Sequence, residues 1–153
     1  GLLAKAEDFC KTNDMSEGDM FACRLAEDMF PFAYQVKSTV VHSLKAIDGL
    51  GAGSFSPDMA EPPKTFAKSN ALISDAITKL EAIKPEDLNA YVGKDMMFVL
   101  NDYKVPFTAE NFLFSFSKPN FYFHASTTYA LLRAKGVKVG KRDFLGPMQI
   151  KTD

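Results

Sequence analysis

PNFYFHASTTYALLRAKGVKVGKRDFLG, residues 119–146, holds a helical period, a stop and a charged tail in one run. Phe121, Ala125, Thr128 and Leu132 recur at spacings of four, three and four, as on one face of an amphipathic helix. Gly136 then supplies the residue that ends such a helix in the left-handed conformation. With Phe121 set at zero and about 100° per residue, the stripe centres near about +10° and His124 falls at about −60°. His124 thus flanks the apolar face and points inward from its edge, within reach of Asn120 one turn before it and Thr128 one turn after. The plainer reading is a core histidine satisfied by one hydrogen bond. The sharper one is a working acid or base, because burial or a nearby carboxylate would tune its pKa.

Working outward, GKRDFLG folds the tail back, with Phe144 and Leu145 as anchors and Arg142 or Asp143 finding a partner near the helix ends. Alternatively, Lys141 or Arg142 closes one end of a pocket and binds an anionic group. Leu2–Phe9 reads as a short helix, and 13–19 as a turn. CRLAEDMF, residues 23–30, resumes a helical pattern as far as Pro31, with a new helix starting near Met29 on an Asp28 cap, or one long helix bending at Pro31. Phe32, Val36, Val40, Leu44 and Ile47 form the next stripe. His42 lies roughly 145° from its centre, which predicts a surface histidine. Residues 48–63 are rich in Gly, Pro and Ser and read as a long loop. Phe66, Leu72, Ile73, Ala76, Ile77 and Leu80 resume a helix that Lys84-Pro85 ends. MMFVLNDYKVPF predicts a β-hairpin near 96–107, and Thr108 caps the helix after it. Pro119 restarts or kinks that helix. The expected architecture is all-α: one domain over 1–153, a four-helix bundle with one small hairpin and a C-terminal tail, 137–153, packed on it.

The chain has 153 residues and a net charge of −1, so no basic field draws nucleic acid. Lys135, Lys138, Lys141 and Arg142 cluster near the C-terminus, as on a solvated helix end. Cys10 and Cys23 make neither a disulfide framework nor a zinc spacing, which suits a reduced, cytoplasmic setting. No apolar run is long enough to span a membrane. The chain opens on Gly1 without a methionine, which reads as a trimmed or tagged end. No phosphate loop, dinucleotide fingerprint or nucleophile elbow is present, and nothing near His124 completes a hydrolytic triad.

The 119–146 block, together with RLAEDMFPFAYQVK at 24–37, resembles an uncharacterised domain-of-unknown-function family. Its fungal members are often labelled helix-turn-helix proteins, and it is grouped with the DinB/YfiT-like helical bundles. The resemblance runs from about Cys23 to Gly146. It implies four helices and, often, a three-histidine metal site, two of whose ligands lie one turn apart ahead of a YLRxxG segment. NFYFHASTTYALLRAKG places Asn120 at the first of those positions and His124 at the second. A neutral amide binds soft divalent metals weakly. The remaining ligand would come from the helix of Asp28 to Lys45, where Asp28 is the carboxylate near the buried flank. Zinc or nickel held by His124 and Asp28 is therefore the metal site the resemblance implies. No basic recognition helix supports the helix-turn-helix label.

Three functions stay open. The first is a small-molecule pocket between helices, centred on His124 with Asp28 as catalytic partner, and with Asn120, Gln35, Thr128, Lys141 and Arg142 binding a small apolar or aromatic ligand. No cofactor is needed for it. The second is a metal-dependent hydrolase or transferase of the DinB/YfiT kind. The third is a non-catalytic interaction protein, dimeric through an exposed bundle face. The residues leave open whether any substrate is turned over.

Overall fold

Hydroxyl caps set several helix starts. Ser16, Thr65 and Thr108 each accept a hydrogen bond from the backbone N–H three residues on, at 3.0, 3.3 and 3.4 Å. The computed structural model describes residues 1–151. Helix α1 spans Leu2–Thr12, α2 Glu17–Ala22, α3 Phe32–Val40 and α4 Ala46–Ala52, with a π-helical turn, Val41–Lys45, joining α3 to α4. Strand β1 is Ser54–Phe55, α5 Phe66–Glu81, α6 Pro85–Asn89, β2 Asp95–Leu100 and β3 Tyr103–Thr108. Helix α7, Ala109–Asn111, runs through a second π-helical turn, Phe112–Ser117, into α8, Lys118–Ala134; α9 is Lys141–Leu145. The protein is thus mostly helical, with one small three-stranded sheet of order β1-β2-β3.

The hairpin expected near 96–107 is formed by β2 and β3, turning at Asn101 with φ 53°. An asparagine tolerates that left-handed geometry better than most side chains. The sequence did not announce β1, which pairs parallel to β2 with Ser54 opposite Met97. Its presence shortens the long loop expected at 48–63. Helix α4 runs on to Ala52, Gly53 ends it at φ +67°, and the strand follows at once. Gly49 makes the return close: a Cβ there would sit 3.0 Å from the Ser54 carbonyl oxygen and 3.2 Å from Met96 Cε.

A second correction concerns residues 23–30. They are not helical. Cys23 leaves α2 in extended backbone at ψ 147°, and its carbonyl is taken by the Phe32 N–H at 2.9 Å. The Arg24 guanidinium closes the intervening turn on the Met29 carbonyl. Pro31, at φ −71°, is the N-cap of α3, the place expected for Asp28. Proline at the boundary presets the entry and donates nothing the helix needs.

Helix α3 packs on α8 on one side and on α5 on the other. One core joins α1, α2, α3, the start of α5 and α8 around Phe21, Phe32, Phe66, Leu131 and Leu132. A second lies under the sheet, around Phe55, Met96, Phe98 and Phe112. A smaller one, Val40, Leu44 and Ala76, fills the space between α3 and α5. Cys10 and Cys23 are buried free thiols in the first core, and burial raises both pKa values, so neither is an activated nucleophile.

Of the tail residues expected to hold it, Asp143 and Phe144 meet the bundle and Leu145 does not. Asp143 pairs with Lys5 at 2.8 Å and accepts from the Gly140 N–H at 2.8 Å. Phe144 meets Tyr129 edge-on at 5.9 Å, whereas Leu145 is 52% exposed and anchors nothing. Residues 152–153 of the expected tail lie outside the described residues.

Candidate functional site: a histidine pair between α3 and α8

His124 is buried on α8 and its Nδ1 lies 2.7 Å from Gln35 Oε1 on α3. The hydrogen positions follow from the next bond in the chain. Gln35 Nε2 donates to the Phe30 carbonyl at 2.9 Å. A carbonyl only accepts, so the amide NH₂ must face it and Oε1 must face the imidazole. His124 Nδ1 therefore carries the proton and donates, and Nε2 is left with its lone pair. Tyr34 and Phe123 meet the ring edge-on at 5.9 and 5.3 Å. Burial in this aromatic setting lowers the His124 pKa to about 4, so the ring is neutral at pH 7.

His42 stands beside it, where a surface histidine was expected. The two rings are 5.5 Å apart between centroids and within 13° of parallel. Phe55 and Phe116 pack on His42 at 5.7 and 5.8 Å. Burial, and then the neighbouring imidazole, lower its pKa to about 4. Its Nδ1 is buried with no hydrogen-bond partner among the described residues. The expectation failed because it assumed one apolar face and one wet face. Helix α3 has helices on both sides, and its small polar face of Gln35, Ser38 and His42 meets α8. A usable signal was present: Lys37 is the only charged residue between Phe32 and Leu44. A helix with so little charge around its circumference is buried around its circumference.

Two π-helical turns meet beside the pair. His42 lies in the first of them, and its carbonyl accepts from Ser117 Oγ, the last residue of the second, at 3.0 Å. The second turn precedes Pro119, whose missing N–H and ring would clash with an unbroken α-helical ladder. A cleft of about 310 Å³ opens beside this junction, lined by His42, Ser117, Lys118, Leu113, Phe114 and Phe121 among others. It reaches the pair through His42, not through His124.

The other anticipated site residues are dispersed. Asn120 is half-buried and spends its amide NH₂ on the Phe116 carbonyl at 2.8 Å. Thr128 is buried and donates back to the His124 carbonyl at 2.9 Å, steadying the helix under the ring. Gln35 joins the site as an orienting group. Asp28 lies exposed in the turn after α2 and does not join it, because the chain there is not helical. Lys141 and Arg142 are exposed on α9; Lys141 borders a separate small cleft with Ser126, Tyr129 and Phe144.

These residues do not fit a resident divalent metal of the kind a three-histidine site holds. The pair supplies two neutral imidazoles. Gln35 Oε1 is spent on His124, and Asp28 is elsewhere. Among the described residues no group of three or more His, Cys, Asp and Glu side chains could hold a metal ion. Catalytic zinc takes three protein ligands and keeps one position for water, and this donor set stops at two.

Comparison with known proteins agrees with the architecture. A crystal structure of a DinB family member from Shewanella denitrificans superposes with a TM-score of 0.80 at 27% identity, covering 99% of this chain and 85% of that one. Comparison with curated proteins finds no match. The model of one sequence family covers residues 1–145, nearly the whole helical fold and its C-terminal latch. The chain therefore belongs to the family described as domain of unknown function (DUF1993).

Proposed function

We propose that this protein is a helical bundle on the DinB plan that binds a small apolar or aromatic molecule in the cleft beside His42, with the histidine pair as its polar contact. One observation carries the reading: the His42 Nδ1 is buried without a hydrogen-bond partner among the described residues, in an otherwise aromatic setting. Such a group costs about 1–3 kcal/mol if nothing meets it, so a ligand or ligand-borne water that does is favoured. The cleft's volume falls at the low end of the range for small-molecule sites. Gln35 fixes His124 in one tautomer, so the pair is preorganised before any ligand arrives.

The test is titration with benzoate, benzamide and indole, read by the ring ¹H–¹⁵N resonances of both histidines. Saturable shifts at both rings with at least one of the three, lost in His42→Phe, are the expected result. Rings that none of the three moves, or binding unchanged in His42→Phe, would overturn the reading.

A second reading has its own observation. Phe30, Phe114, Tyr122 and Phe123 are 59%, 67%, 51% and 56% exposed. Large exposed aromatics of this kind mark association surfaces, and they support a non-catalytic dimer. A monomer by light scattering at 100 µM would remove that reading.

A further inference from the structure

The cleft beside His42 does not end at its own walls. Ser43, Leu80, Phe121 and Tyr122 line it and also line a larger groove of about 550 Å³ between α1, α3, α5 and α8. The two adjoin at those four side chains. From His42 and Lys118 the lining runs past Val36, Val40, Ile73 and Ala125.

Its chemistry changes along its length. In the larger groove the serine and threonine hydroxyls are consumed within their own helices, and Tyr122 stands half-exposed at the edge shared with the His42 cleft. Thr39 donates to the Val36 carbonyl at 2.7 Å, Ser43 to that of Thr39 at 2.7 Å, and Thr128 to that of His124 at 2.9 Å. Asn70 stands exposed at the rim. The wall therefore presents methyl, methylene and ring surface and offers a ligand almost no donor. The His42 end differs. Lys118 brings a cation, its Nζ 5.7 Å from the Phe114 ring centroid, and neither cleft has an acidic side chain in its lining.

We infer that the two adjoining clefts together bind an aliphatic carboxylate, with its chain along the α3–α5–α8 groove and its head at the His42–Lys118 end. This rests on the small-molecule reading of the His42 cleft and names the ligand class for it. A flat aromatic alone would fill the short cleft and leave the long groove empty. A long neutral hydrocarbon would fill the groove and leave Lys118 without a counter-charge.

The experiment titrates the intact chain with octanoate, decanoate and dodecanoate below their micelle concentrations, with 1-dodecanol and benzoate as comparisons. Each added methylene should tighten carboxylate binding by about fourfold until the groove is full. Ala125→Trp, and independently Ile77→Trp at a half-exposed wall position, should abolish that chain-length dependence while benzoate still binds; retained benzoate binding also shows that each variant is folded. Lys118→Glu should weaken dodecanoate at least tenfold and leave 1-dodecanol within twofold. Affinity independent of chain length, chain-length dependence that survives both tryptophans, or equal loss of acid and alcohol in Lys118→Glu would overturn this inference. In each of those cases benzoate binding to the unaltered protein leaves the His42 site standing. If no carboxylate binds and benzamide or indole still does, only this inference falls; if none of these ligands binds, both fall together.

Discussion

Gln35→Met tests the site at its most determinate bond. Methionine nearly conserves the volume and removes both polar ends of a residue that is 2% exposed. Two partners are affected unequally. The Phe30 carbonyl belongs to an exposed residue and recovers water, so losing its bond costs about 1 kcal/mol. His124 Nδ1–H is buried and recovers nothing, which costs about 1–3 kcal/mol. The sum is about 2–4 kcal/mol, or roughly 4–16 °C in Tm at about 2–4 °C per kcal/mol for a domain of this size. Urea denaturation measures it, and a double-mutant cycle isolates the shared bond. In a His124→Phe background there is no donor to orphan, so Gln35→Met should cost only about 1 kcal/mol. Imidazole ¹⁵N shifts supply an independent readout, showing Nδ1–H in the unaltered protein and mixed tautomers in Gln35→Met. A cost within about 0.5 kcal/mol of zero, or a cost equal in both backgrounds, would refute the bond and the tautomer derived from it.

Acid should weaken the fold early. Both histidines have folded pKa values near 4, below the unbound value of 6.5, so the unfolded chain binds more protons between those limits. Their contribution is fully present above about pH 6.5 and is lost as pH falls toward 4; urea midpoints should drop across that window, and much less so in a His42→Phe, His124→Phe double variant. Lys37→Met should loosen the loop after β1. Its buried ammonium donates to the Asp58 carbonyl at 2.6 Å and to that of Ala60, and lies 3.2 Å from the Asp58 carboxylate. A loss of about 2–4 kcal/mol is expected, with faster amide exchange confined to residues 57–61, and unchanged exchange there would contradict it. Phe112→Ala, in the core beneath the sheet, should cost about 3–5 kcal/mol by urea denaturation and displace Phe116 from His42.

Much of the helical layout could be read from spacing alone. The stripes of α3, α5 and α8, the stop at Gly136 and the Thr108 cap depend on local periodicity and end chemistry, and these survive folding. The hairpin was legible because Asn101-Asp102 separates two β-prone runs. Strand β1 was not, because two residues have no period and their pairing to β2 is non-local. Residues 23–30 misled because their composition suits a helix while Pro31 and the Phe32 N–H bond pull the backbone out of it. At the site, His124 was legible because it flanks one strong stripe. His42 was missed, since an amphipathic reading assigns a polar face to water; the signal that a second helix covers it lay in the scarcity of charge around α3, not in its period. The π-helical turns escaped for a related reason: a constant 100° step leaves no room for an extra residue.

The depressed pKa values decide what kind of chemistry the pair suits. A group with pKa near 4 is protonated in about one molecule per thousand at pH 7, and proton transfer works best when the pKa lies near the operating pH. As they stand, the rings are hydrogen-bonding groups: His124 donates through Nδ1 to Gln35 and offers the lone pair of Nε2. An anionic head bound beside His42 would change that balance. A negative charge close to a desolvated imidazole favours its protonated form, opposing the two causes that now lower it, burial and the neighbouring ring. Binding of a carboxylate would then be linked to proton uptake and would strengthen as pH falls through 6, while a neutral ligand of the same shape would show no such slope. Calorimetry in buffers of different ionisation enthalpy measures the proton count directly. Zero uptake at pH 5.5 would mean that the head lies too far from His42 for the two charges to interact.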